Sequence, residues 1–457
     1  MILQTPKAMY GRVVGSLLLA LPSCWCWAQS LSGNLNALSA YQTAGKNWHT
    51  ASAVSVRLSK PSLFELEKGE GILIADPGKS TENGLISLSS YGDIRLTFDF
   101  MTTAGAKATI YLNGIYPYIL ADNWGQVKSS DQSNGAIPGR APRQLINRAP
   151  GLWQHLTLSF RAPRLDASGK VTEQAILLNA TLDGVLIHEN VQWPVNNGRE
   201  PTKATGPIRI DPTSGSIAFR NIQALPLASG GNQERLENDV DPILVQATSN
   251  TTLRSFMDIP SQRVVHCLSA GSAEQVHYSY DLDNGYLFQV WRGGFLDATP
   301  MWHDRGDGSS SVLGSAVFLG KPLPALAKLD NETSPWPQDS AGSGFFNKGY
   351  IIDDQDRPQF KYRLHGQLVS DAIKALPDGT GLSRTISLAH PTEGWYVLLA
   401  KSAVISEQSK GIYLINGQEY YIKLGAENTE KAVIRDAPGG KELLIPIQST
   451  IQYSLIF

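Results

Sequence analysis

The chain has 457 residues, enough for two or three domains with proper cores. A formal net charge of −2 with 18% charged residues excludes the strongly basic surface that a nucleic acid or an anionic membrane would require. Gly 42, Pro 26, Trp 10 and Tyr 16 suit a turn-rich β protein with aromatic faces.

At the N-terminus, Lys7 and Arg12 precede the apolar run VVGSLLLALPSCWCWA, and Cys26-Trp27-Ala28 places small residues at the −3 and −1 positions of a cut after Ala28. The run is short for a membrane span, so residues 1–28 read as a removed signal peptide. The expected location is periplasmic or secreted, with no transmembrane segment after processing. A retained anchor is one alternative. Lipid attachment at Cys24 is another, which Pro22 fits poorly. Cleavage after Ala28 removes Cys24 and Cys26, so Cys267 has no partner for a disulfide and reads as a buried, inert thiol. No CxxCH, CxxC or HExxH occurs, which leaves no signal for covalent haem, structural zinc or a zinc protease.

Short alternating runs follow. DIRLTFDF places Ile94, Leu96, Phe98 and Phe100 on one face. KATIYLNGIYPYIL is a further apolar-rich run, then come HLTLSF and ILLNATLDGVLI, the latter with Asp183-Gly184 as a two-residue hairpin turn. GPIRIDPTSGSIAFRNI reads as a β-hairpin, with Ile208, Ile210, Ile217 and Phe219 alternating around a polar Asp-Pro-Thr-Ser-Gly turn. No long segment of helical period interrupts, so the expectation is an all-β sandwich. Residues 229–242 read as a linker between a first domain, 31–228, and a second β-rich, sandwich-like domain, 243–457, whose middle is rich in Pro and Gly.

Tyr111, Tyr116, Tyr118, Trp124 and Trp153 lie near polar loops, and rings with a polar tip suit the C–H faces of sugars. ADNWGQ combines Asp122, Asn123, Trp124 and Gln126 in one loop, and GRAPRQLINRAP adds Arg140, Arg143 and Arg148 as a rim for a polyol or carboxylate. For any single ring, ordinary packing is the competing account.

YGDIRLTFDF, GIYPYILADNWG, GAIPG, GLWQHLTLSFRAPRLDASGKV, LDGVLIHENV and GPIRIDPTSGSIAFRNI, in this order and spacing, resemble the bacterial 3-keto-disaccharide hydrolase domain family, whose members include 3-keto-glucoside lyases and 3-keto-glucal hydratases. The resemblance spans about Gly71 to Leu227 and implies a concanavalin-like jelly roll. The chemistry it implies is removal of the proton next to the ketone by a base, protonation of the departing glycosidic oxygen by an acid, and donors that stabilise the enolate.

Where the family carries an Arg, a Glu, a Gln and a His, this chain has Asn113, Pro117, Ile119 and Thr213. Asp122, Gly135-Ala136-Ile137, Trp153, Arg209 and Phe219-Arg220-Asn221 match. The candidate acid/base residues are therefore Asp122, His155 and Asp211, with Trp124, Tyr116, Asn113, Arg209 and Trp153 as substrate-binding residues. Arg220 and Asn221 fit strand-edge hydrogen bonding equally well.

The second half, at VHYSYDLDNGYLFQVWRGGFLDATPMWHDRGDGSS, resembles a β-rich segment that accompanies such sugar-type domains in secreted bacterial proteins and carries no assigned chemistry. Its candidate site is Trp291, Arg292, Asp297, Trp302, His303 and Arg305, with a buried Arg–Asp–Trp network as the structural alternative. DRGDGS offers oxygen donors but does not match an EF-hand loop, so calcium is the one cation considered and no cofactor is assigned. The expected partner is a carbohydrate; the readings are an enzyme acting on 3-keto-glycosides or a binding module whose catalytic set is degenerate.

Overall fold

Many strands of this chain bury alternate residues, and their inward faces build one large hydrophobic core in each half, with smaller apolar clusters beside them. The structure, a computed structural model, describes residues 33–42, 45–76, 84–193, 203–227, 241–260, 262–303, 308–390 and 392–457. The expected signal peptide, most of the expected linker and Arg305 lie outside the described residues. Residues from Ser32 to Phe457 form one compact unit.

The first half contains β1 (Trp48–Val56), β2 (Phe64–Ala75), β3 (Leu85–Tyr91), β4 (Ile94–Thr102), β5 (Lys107–Leu112) and β6 (Tyr116–Ala121). After a long loop come β7 (Gln154–Arg161), β8 (Ile176–Leu182), β9 (Val185–Gln192), β10 (Gly206–Ser214) and β11 (Ile217–Pro226). One antiparallel sheet runs β9-β8-β7-β4-β11-β2-β1, with the short strand Gly33–Asn34 added beside β11; the other runs β3-β10-β5-β6. Ile94, Leu96, Phe98 and Phe100 of β4 meet Ile208 and Ile210 of β10 and Ile110 and Leu112 of β5 in one core between the sheets. Phe98 packs against Phe100 and Phe219 with ring centroids 6.1 and 5.9 Å apart. Each large apolar side chain buried there contributes about 1.5–3 kcal/mol.

Two turns differ from the sequence expectation. GPIRIDPTSGSIAFRNI is not a hairpin: β10 belongs to the four-stranded sheet and β11 to the larger one. Gly215, at φ 57°, carries the chain between them, where a Cβ would run into Ala106. Alternation is the same for a hairpin and for an arch between sheets, because in both cases Ile208, Ile210, Ile217 and Phe219 face one core. KATIYLNGIYPYIL is the actual hairpin, β5 and β6 joined through Asn113 (φ 50°) and Gly114 (φ 73°), the left-handed pair that tight hairpins favour.

The second half contributes β12 (Thr251–Ile259), β13 (Gln262–Gly271), β14 (Val276–Asp281), β15 (Tyr286–Asp297), the five-residue helix α1 (Thr299–His303) and β16 (Ser311–Phe318). These strands and Leu244–Val245 make a six-stranded sheet. An eight-stranded sheet includes β17 (Gln367–Ala375), β18 (Gly381–Leu388), β19 (Ile412–Ile415), β20 (Tyr420–Leu424) and β21 (Thr450–Ile456), and a further four-stranded sheet flanks it. Inside this core, Arg384 gives Asp371 two hydrogen bonds, Nε to Oδ1 at 3.0 Å and Nη2 to Oδ2 at 2.6 Å. Arg384 Nη1 also donates to Tyr453 Oη, and Tyr280 Oη donates to Asp371 at 2.8 Å. Asp371 alternates with Val369 and Ile373, and Arg384 with Leu382 and Ile386, so a charged pair sits at inward positions of apolar strands.

The halves are joined by polar contacts. Gln144 donates to Leu313 O (2.9 Å) and accepts from Gly294 N (2.7 Å). Tyr421 Oη donates to Pro150 O, Gln418 Nε2 to Val54 O, and Ser315 Oγ to Asp183.

Candidate functional site

On the four-stranded sheet, Ile208 and Ile210 point into the core, so Arg209 and Asp211 point outward. The register sets Ile86, Arg209, Tyr111 and Pro117 in one row across β3, β10, β5 and β6, and Asp211, Thr109 and Ile119 in the next. Arg209 donates through Nε to Asp211 Oδ1 at 2.7 Å, its Nη2 lies 2.5 Å from Oδ2, and its guanidinium stands 5.3 Å from the centre of the Tyr111 ring. The bond to Asp211 raises the already high pKa of Arg209. Gly84 leaves the Asp211 carboxylate its place, since a Cβ there would overlap Oδ1. The result is an outward face with a flat ring, a fixed cation and a carboxylate side by side. Pro117 and Ile119, which replace the Glu and Gln implied by the family, lie on this same face.

The other sequence candidates do not join it. His155 is on β7 of the opposite sheet, facing away from the core. Two packed sheets stand about 10 Å apart, so outward side chains of one cannot meet those of the other. His155 Nδ1 and Asp99 Oδ1 are 2.8 Å apart, and Asp99 Oδ2 accepts from Arg220 Nε (3.1 Å) and Asn221 Nδ2 (2.8 Å). Burial pushes the Asp99 carboxyl up, but these bonds outweigh it and hold the group below its usual range. Trp153 is buried beneath Arg220, whose guanidinium lies 3.9 Å from the ring centre. Trp153 is therefore packing for Arg220 and not an open sugar platform.

Asp122 follows β6. Its Oδ2 accepts from Gly105 N at 2.9 Å and its Oδ1 from Trp124 N at 3.1 Å. Burial raises its pKa despite those two amides, but both oxygens are already holding the loop. Trp124 donates from Nε1 to Phe457 O at 3.1 Å and packs beside Ala149, Leu152 and Tyr421. The loop expected to rim a ligand is a joint between the halves. Arg148 is also taken up, pairing with Asp183 at 2.9 Å within the first half. Tyr116 is a core residue against Phe160 and Trp193, with centroids 5.4 and 5.5 Å away. Asn113 is buried in the hairpin turn, its Nδ2 3.4 Å from Lys203 O. The loop corrections share one cause: loop composition does not report which loops another part of the chain will cover.

In the second half, Trp291 is fully buried and donates to Gly294 O and Phe295 O at 3.0 and 3.1 Å. Arg292 is also buried, donating to Gly379 O at 2.5 Å, and burial lowers its pKa to about 10. Asp297 accepts from Thr299 N at 2.8 Å at the start of α1. Trp291, Arg292 and Asp297 are thus structural, whereas Trp302 and His303 are exposed. Cys267 is buried and its thiol pushed up to about 12 by that burial. Among the described residues no three His, Cys, Asp or Glu side chains gather as metal ligands, and no helix is long and apolar enough to cross a membrane.

Sequence reasoning passed over Thr109 and placed Tyr111 only in a general aromatic group. Their signal was present in KATIYL, where alternation sends Lys107, Thr109 and Tyr111 to the face shared with Arg209 and Asp211.

No curated protein sequence matches the chain. Among solved structures it is similar to two from Parabacteroides distasonis ATCC 8503 named "putative glycosyl hydrolase". One is 15% identical, with 43% of this chain and 83% of that one covered and a TM-score of 0.31. The other is 18% identical, with 44% and 98% covered and a TM-score of 0.30. It is also similar to the carbohydrate binding module CBM66 from Bacillus subtilis, at 10% identity, 40% and 99% coverage and a TM-score of 0.19. Residues 31–224, the first part of the chain, match the family profile described as the 3-keto-alpha-glucoside-1,2-lyase-like domain.

Proposed function

We propose that the first domain binds a carbohydrate on the outward face of its four-stranded sheet. The observation that carries this reading is the Tyr111–Arg209–Asp211 arrangement, in which the ring offers a flat apolar surface and the ion pair offers fixed donors and acceptors to ring hydroxyls. In this reading the chain is exported to the periplasm or beyond through residues 1–28 and carries residues 31–228 and 243–457 as its two domains, with no cofactor assigned and calcium the one cation considered. Calorimetric titration of the purified protein with glucosides and 3-keto-glucosides tests the binding. Tyr111→Ala should weaken it about tenfold, the scale of one ring contact of about 1.4 kcal/mol. Unchanged affinity in that variant rejects the site.

The family match at residues 31–224 favours a second reading on the same face, cleavage or hydration of 3-keto-glycosides. The ketone acidifies the neighbouring C–H; Asp211 is the carboxylate on this face, and although Arg209 holds both its oxygens, each keeps a second lone pair that can take the proton and return it to the departing glycosidic oxygen, while Arg209 can donate to the enolate oxygen. Incubation with 3-keto-trehalose separates the readings. Glucose release that Asp211→Asn abolishes selects the enzyme, and binding without release selects the module.

A further inference from the structure

The second half carries a groove of about 560 Å³ on the outward side of its six-stranded sheet, lined by Arg254, Ser255, Phe256, Val265, His266 and Trp302, among others. Its origin is local. The pairing of β12 with β13 slips between Ser255 and Met257, so Val265 and His266 are both exposed where strict alternation would hide one of them. Helix α1 then overhangs the strands. Trp302 is 57% exposed and Val265 45% exposed, large apolar surface for side chains that ordinary packing would cover.

Polar groups accompany that surface. Ser255 is 6% exposed, and among the described residues its Oγ has no hydrogen-bond partner, a costly state for a buried hydroxyl. His266 is held through Nδ1 at 2.9 Å from each Asp283 oxygen, which leaves Nε2 for a ligand. Arg254 is exposed at the rim. Ring, oriented imidazole and guanidinium together match a pyranose, with one C–H face for the indole and hydroxyls for the two polar groups.

We infer that this groove is a second carbohydrate site, separate from the face of the first domain, which takes one pyranose ring of a glycan against Trp302. It stands independently of the first-domain reading. The test uses the full chain with maltotriose, cellotriose and trehalose as probes, followed by saturation-transfer NMR and calorimetry. At least one probe should bind wild type. Trp302→Ala should weaken that binding about tenfold or more, and His266→Ala should weaken it by a smaller factor. The measurement is repeated in the Tyr111→Ala background, where binding that persists and falls again with Trp302→Ala belongs to the groove, so failure of the first-domain site is read separately. Trp302 is exposed, and an unaltered melting temperature certifies the variant. The inference is overturned if none of the three probes binds, if Trp302→Ala binds as wild type does, or if the groove takes only an apolar dye that no sugar displaces.

Discussion

Removing Asp371 tests whether the second core depends on its buried charges. In Asp371→Ala, the Arg384 guanidinium loses two hydrogen bonds, at 3.0 and 2.6 Å, while its side chain stays 3% exposed. Tyr280 loses its acceptor as well. A charge left unpaired at this depth costs about 3–5 kcal/mol. With an m-value of about 3 kcal/mol/M, such a loss moves the urea midpoint down by about 1 M or more. Equilibrium unfolding followed by circular dichroism measures it. Asp371→Leu combined with Arg384→Met removes both charges, so it should be less destabilised than Asp371→Ala alone. A single variant within about 1 kcal/mol of wild type would refute the reasoning, as would a double variant that falls as far as the single one.

His277 should make stability pH-dependent. Its Nε2 lies 2.8 Å from Gly293 O and its Nδ1 accepts from Ser272 N, so the buried ring is held neutral, and burial lowers its pKa from 6.5 to about 4. The unfolded chain then binds the extra proton first, so stability present above about pH 6.5 is lost as pH falls towards 4, by on the order of 3 kcal/mol. Urea midpoints at pH 7 and 4.5 should differ less for His277→Gln than for wild type, and equal differences would count against it. Gly84→Ala should displace the Asp211 carboxylate and weaken ligand binding at Tyr111 while leaving the melting temperature within a few degrees; a fully retained affinity would contradict that geometry. Cys267 should resist a thiol reagent at pH 8 in the folded protein and react only on unfolding, because burial pushes its pKa up to about 12; rapid labelling of the native chain would refute this.

Legibility in the sequence follows the range of the interaction. Ile94, Leu96, Phe98 and Phe100 were readable as one buried face because strand period is a local property of the backbone. Asp183-Gly184 was readable as a turn for the same reason, both residues having positive φ. Asn113-Gly114 carried an equally clear turn signal, and treating Asn113 as a ligand contact overlooked it. Asp371 and Arg384 were detectable only as charges at inward positions of apolar strands, with nothing in either strand naming the other as partner.

By itself, the sequence determined an all-β chain and the likeness of its first part to 3-keto-sugar domains, because alternation and motif order are carried residue by residue. Tertiary structure decided which sheet each strand joins, and with that, which polar side chains share a surface. Arg209 and Asp211 stand beside Tyr111 because β10 pairs with β5, whereas His155 lies beyond the core on β7. Trp124 ties the two halves together, and Asp122 holds the loop that carries it, because the second half packs over that loop. Pairing and docking join residues hundreds of positions apart, and no local pattern encodes that distance.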